Sequence, residues 1–120
     1  MIHGILVATK SGLPVASIGL EGDPVLLSGL LVAVGTVINQ GLKSEISKVE
    51  FQDKDLIIAG GGEKSAVLVA ILADRDDLSA EFLAKSLLYR ITHSISEEEL
   101  EFVTGELQAK VEEIIKKYER

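Results

Sequence analysis

The chain has no cysteine and no tryptophan, and only 4% of its 120 residues are aromatic. Without cysteine there is no disulfide framework and no thiolate nucleophile, which suits a protein of the reducing cytosol. With three Phe and two Tyr, the core must be built from aliphatic side chains. Such a core offers few of the convergent polar groups that small-molecule pockets use. Basic residues are also in short supply, 12 against 19 acidic ones for a net charge of −7. That balance excludes nonspecific binding to nucleic acid or to anionic lipid. There is a single Asn and a single Met while Lys, Glu and Ile are plentiful, a composition in keeping with a thermophilic source.

Charge is missing altogether from residues 25–42 (VLLSGLLVAVGTVINQGL), in a chain that is 26% charged. A helix apolar nearly all round must be covered nearly all round, and in a domain this small part of the cover is expected to come from another subunit. The stretch reaches the length of a membrane span. However, Ser28, Gly29, Gly35, Thr36, Asn39 and Gln40 dilute it, and no aromatic or basic anchor marks its ends, so direct membrane insertion is not expected. The opening Met1-Ile-His-Gly runs straight into strand residues with no basic segment or cleavage site, so no secretory leader is expected either.

The length fits one domain over 1–120, and 47% hydrophobic residues suffice to fill its core. Residues 2–9 (IHGILVAT) read as a strand, Lys10-Ser11-Gly12 as a turn and 14–20 as the return strand of a hairpin. Asp23-Pro24 is a helix start, with Asp capping and Pro at the first helical position. The helix should run to about Gln40, with Gly41 as its stop. Three strands follow: 45–52, with Val49 and Phe51 on one face, then 55–59, then 65–73. Gly60 to Lys64 forms the flexible tip between the last two. The segment 65–73 (SAVLVAILA) does not alternate, so both its faces should be buried. Ser79 can cap a helix over 80–93 with Phe82, Leu83, Leu87, Leu88 and Ile91 on one stripe. Ser96 and Glu99 form a capping box for a last helix to about 118, whose apolar face is Leu100, Val103, Leu107, Val111, Ile114 and Ile115. Lys116, Lys117 and Arg120 suit its negative pole.

The expected class is α+β: a five-stranded, mainly antiparallel sheet in the order β-β-α-β-β-β-α-α, with helices on both faces. Residues 97–120 alone carry 8 acidic and 4 basic residues, which reads as a solvated acidic face or a site for a basic partner.

That order, in this length, resembles the longin or SNARE-like (profilin-like) fold, whose relatives include roadblock proteins. Residues 4–17 (GILVATKSGLPVAS) look like the opening hairpin of roadblock and longin proteins. Residues 28–41 are similar to the roadblock helix that follows, and 49–58 and 66–74 to its later strands. Roadblock proteins usually begin with an extra helix; two C-terminal helices, as here, are the longin arrangement. The resemblance implies a non-enzymatic scaffold of the cytoplasm that forms a homodimer or heterodimer with a related domain. It also implies a small GTPase or membrane-trafficking machinery as partner.

On the charge-free helix, Gly29, Ala33 and Thr36 lie on one side and mark either a close helix pair between subunits or close packing on the chain's own sheet. If Leu26, Leu30, Val34 and Val37 face the sheet, then Leu27, Leu31 and Ile38 are left near the surface for a partner to cover. The expected interface is therefore Leu27, Gly29, Leu31, Ala33, Val34, Thr36 and Ile38. No catalytic, cofactor or metal residues are assigned. His3 and His93 read as surface or capping histidines. Gly60-Gly61-Gly62 precedes a strand, not the helix N-terminus a phosphate loop needs, and Lys64-Ser65 echoes that motif at the wrong spacing. Asp74, Asp76 and Asp77 lack the Gly and distal Glu of a calcium loop. No His is placed to activate Ser11, Ser17, Ser28 or Ser65. The competing function class is a small-molecule sensor holding a ligand between sheet and helix.

Overall fold

The computed structural model describes residues 1–62 and 65–118. Glu63, Lys64 and Arg120, and with them part of the expected 60–64 tip, the Lys64-Ser65 echo and the last of the three terminal basic residues, lie outside the described residues. The strands are β1 (Ile2–Thr9), β2 (Pro14–Ile18), β3 (Lys48–Glu50), β4 (Lys54–Gly60) and β5 (Val67–Asp74). The helices are α1 (Pro24–Leu42), α2 (Leu78–Ser94), α3 (Glu97–Leu100) and α4 (Gly105–Lys116). The sheet runs β2-β1-β5-β4-β3 with every neighbouring pair antiparallel, so the class is α+β.

The central strands explain the lack of alternation in β5. Val67, Val69, Ile71 and Ala73 point to one face and Leu68 and Ala70 to the other, and all are buried. Register with β1 sets Ile5 opposite Ile71 and Leu6 opposite Ala70, so each face is continuous across strands. On the first face α2 and α4 complete a large core: Ala80, Ala84, Leu87 and Ile91 from α2, and Leu107, Val111, Ile114 and Ile115 from α4. On the second face Leu6, Leu56, Ile58, Leu68 and Ala70 form a smaller cluster, covered by Leu27, Leu31 and Val32 of α1 with Leu20, Ile46 and Val49. The acidic C-terminal quarter is thus docked through its apolar residues, with the glutamates of its described residues outward.

Several boundaries differ from expectation for local reasons. The last helix is two. Ser96 caps α3 as expected, its Oγ accepting from the Glu99 N–H at 3.3 Å, but the chain breaks at 101–104. Thr104 then caps α4, its Oγ1 accepting from the Leu107 N–H at 3.1 Å. The stop of α1 is not Gly41. The helix continues to Leu42, and Lys43 takes the left-handed conformation (φ 55°) while its N–H donates to the Asn39 carbonyl. Asp77 caps α2, and Ser79 donates to it through its N–H (3.0 Å) and its hydroxyl (2.5 Å). Phe82 is exposed and Ala80 and Ala84 take the inner stripe, because α2 lies close on β4 and β5. The strand expected over 45–52 shortens to three residues, leaving Phe51 exposed. Gly60 turns β4 toward β5 at φ 78°, where a Cβ would run into the Val67 carbonyl.

At one end of the sheet Asp55 is buried under Lys48 and Arg75, and its Oδ2 accepts from the Asp76 N–H at 3.0 Å. That N–H, aided by Lys48 and Arg75, holds the Asp55 carboxyl below its ordinary value against the opposing effect of burial. Beside it the Met1 ammonium meets Asp77 (2.7 Å) and Asp74 (3.1 Å). The ammonium, with Ser79, lowers the Asp77 carboxyl to about 2 from 3.8. Asp74 is lowered as well, by His3 first and the ammonium second. A carboxyl depressed in the fold contributes stability above its unfolded value and loses it as pH falls through the folded one. Stability should therefore drop as pH goes from about 4 toward 2. Asp77 also raises the Met1 ammonium above 8.0, so that contribution is complete below pH 8.0 and is lost as pH rises past it. Urea midpoints across this range check both limbs. Asp77→Asn keeps a good helix cap and should flatten both.

Candidate functional site

The charge-free segment is a helix because Asp23 Oδ1 accepts from the Val25 N–H at 2.9 Å, Pro24 sits at the first helical position, and nothing between them and Asn39 breaks the ladder. Its attachment is narrow. Leu27, Leu31 and Val32 lean on the smaller core cluster, and Ser28 is its one buried residue. The turn between β1 and β2 comes up against the helix backbone there, so that a Cβ on Gly12 would lie 3.2 Å from the Gly29 Cα.

The opposite face of α1 is bare. Leu26 is 71% exposed, Leu30 60%, Val34 41% and Val37 66%, and the spacing of four, four and three residues sets them in one stripe. Gly29, Ala33 and Thr36 lie exposed along it, with Val25 and Leu42 at its ends. No charge interrupts it. Covering each of the four large residues would contribute roughly 1–2 kcal/mol. A contiguous apolar surface of this kind marks an interaction site. The helix is long and apolar enough to cross a membrane, but a span would have to abandon the contacts of Leu27, Leu31 and Val32 with the sheet.

The phase of the helix is the reverse of the one expected. Leu27, Leu31 and Ile38 are half-buried, not left at the surface, while Leu26, Leu30, Val34 and Val37 face solvent and not the sheet. Of the expected interface residues, Gly29, Ala33, Val34 and Thr36 lie on the bare face. The stripe also includes Leu26, Leu30 and Val37, which sequence reasoning assigns inward. The pattern offers no contrast, since both sides of the helix are apolar or small.

The other candidates resolve into structural roles. His3 Nε2 bonds Asp74 Oδ1 at 2.5 Å. His93 stacks on Tyr89 with ring centroids 3.9 Å apart and bonds the Tyr89 carbonyl. Neither histidine hydrogen-bonds a serine among the described residues. Asp74 and Asp77 hold the Met1 ammonium and Asp76 binds Asp55. Among the described residues no His, Cys, Asp or Glu cluster has the grouping of a metal site.

The chain has a roadblock/longin-type fold. The likeness extends to particular solved structures. A roadblock/LC7 domain from Streptomyces avermitilis is 18% identical, the match covering 78% of this chain and 84% of that one with a TM-score of 0.60. The gliding protein MglB from Thermus thermophilus is 15% identical over 81% of this chain and 79% of its own, TM-score 0.61. A structure of MglB with tetrameric arrangement is 16% identical over 81% and 79%, TM-score 0.57. No family model and no curated protein matches the sequence.

Proposed function

We infer that this domain is a non-enzymatic adaptor of the cytoplasm. It associates through the bare face of α1 with a second copy or a related domain, and it holds or regulates a small GTPase in a trafficking-like assembly. The observation that carries the reading is the uncharged stripe of Leu26, Leu30, Val34 and Val37, which no described residue of the chain covers. Gly29 and Ala33 beside it let a second helix come close, and a two-fold pairing would bring the same stripe from both copies together. A tetrameric arrangement in a protein of like fold supports self-association as a use of this architecture. The GTPase rests on the resemblance to roadblock and longin domains.

The test is retention on the immobilised domain from a lysate of the source organism, with a non-hydrolysable GTP analogue in one run and GDP in the other. A small GTPase identified by mass spectrometry, retained more in one state than in the other, is the expected result. Retention of no GTPase in either state would overturn the partner.

A further inference from the structure

β1 begins irregularly. Ile2 lies opposite Ala73 and Gly4 opposite Leu72, so His3 is the extra residue of a β-bulge, a device that re-aims a side chain. The His3 imidazole is carried to the end of β5, where its Nε2 bonds Asp74 Oδ1 at 2.5 Å. The other oxygen of that carboxylate meets the Met1 ammonium at 3.1 Å. The amine of Met1 and the imidazole of His3 thus converge on one side chain. Both are open to solvent: Met1 is 77% exposed and the His3 side chain 30%.

The hydrogen bond fixes which ring nitrogen is left. A carboxylate only accepts, so the proton shared with Asp74 belongs to Nε2. Nδ1 of the neutral ring then carries the lone pair, and it has no hydrogen-bond partner among the described residues. An imidazole with one nitrogen on a carboxylate and the other free is the arrangement in which metal-bound histidines are held. The backbone supplies the remaining donors. Between the amine and Nδ1 lie the amide nitrogens of Ile2 and His3, each joined to the next through a short chelate ring. A planar nitrogen set of this kind is what Cu(II) and Ni(II) select. No grouping of His, Cys, Asp and Glu side chains among the described residues offers the ion another site.

We propose that the chain, with its Met1 amine free, binds a Cu(II) or Ni(II) ion through that amine, the Ile2 and His3 amide nitrogens and His3 Nδ1, with Asp74 holding the imidazole from behind. The ammonium gives up one proton and each amide another, about three per ion, and the metal keeps its oxidation state. The ion must also part the ammonium from Asp77, 2.7 Å away, so the fold sets the pH at which the site loads. The proposal does not depend on the dimer or on the GTPase, and its failure would leave both readings standing.

The test titrates copper(II) chloride into the full chain, its free amine checked by intact mass, and follows visible absorption and proton release. The violet band of a planar, all-nitrogen copper complex should saturate at one copper per chain, with about three protons released per ion. His3→Gln should lose the band. So should a chain with one Gly added ahead of Met1, which sets the imidazole a residue too far from the amine. His93→Gln should keep it, and circular dichroism melts check the fold of each variant. Asp77→Asn removes the nearer partner of the ammonium and should load at lower pH than the parent. In urea, where that pair is lost, the two should load alike. Absence of the band at equimolar copper, a band that survives His3→Gln or the added Gly, dependence on His93, or a loading pH that Asp77→Asn leaves unmoved or shifts equally in urea would each overturn the site.

Discussion

Leu30→Asp should leave the domain folded and turn it into a monomer. Leu30 stands near the middle of the bare stripe, 60% exposed, so a carboxylate there stays solvated in the isolated chain and costs the fold little. In a two-fold pair the substitution occurs twice, and each copy buries a charge in an apolar contact. At the ~2 kcal/mol of a central interface residue per copy, the pair should weaken by about a thousandfold. Sedimentation velocity at micromolar concentration reads the change, and a thermal melt by circular dichroism reads the fold. Leu31→Asp is the discriminating partner. Leu31 is half-buried against the sheet cluster, so its charge should lower the melting temperature before it affects association. A Leu30→Asp protein that sediments like the parent would remove this face from the assembly, and a parent that is monomeric would remove self-association altogether.

The contrast between two adjacent leucines also measures how far the sequence can be read. The hairpin at Gly12, the start of α1 at Asp23-Pro24 and the double burial of the strand expected over 65–73 are legible because each rests on a local rule: turn chemistry, capping, or loss of alternation. The orientation of α1 is not legible, because orientation is read from polarity contrast and Leu26, Leu27, Leu30 and Leu31 are chemically the same. What decides it is tertiary: the turn at Gly12 meets the helix at Ser28 and Gly29, and Leu27 and Leu31 fall on the sheet side. The break between α3 and α4 has a local signal, Thr104-Gly105, which a continuous apolar spacing through Val103 overrides.

Leu107→Ala should cost about 3 kcal/mol, the middle of the range for emptying a buried leucine site. Leu107 is buried with Val111 and Ile115 in the larger core, where α4 meets α2 and β2. Urea unfolding should show a lower midpoint at unchanged slope, since the surface exposed on unfolding is nearly the same. The polar tie between the last helices predicts the opposite. Lys110 meets Glu99 at 2.6 Å, but both are exposed, and exposed pairs contribute little. Lys110→Ala should leave the midpoint almost unmoved, and added salt should not loosen α4. If salt or Lys110→Ala destabilised the domain as much as Leu107→Ala, the acidic C-terminal quarter would be held by charge. If only Leu107→Ala does, its glutamates are free to face solvent or a basic partner while the apolar side keeps one face of the sheet closed.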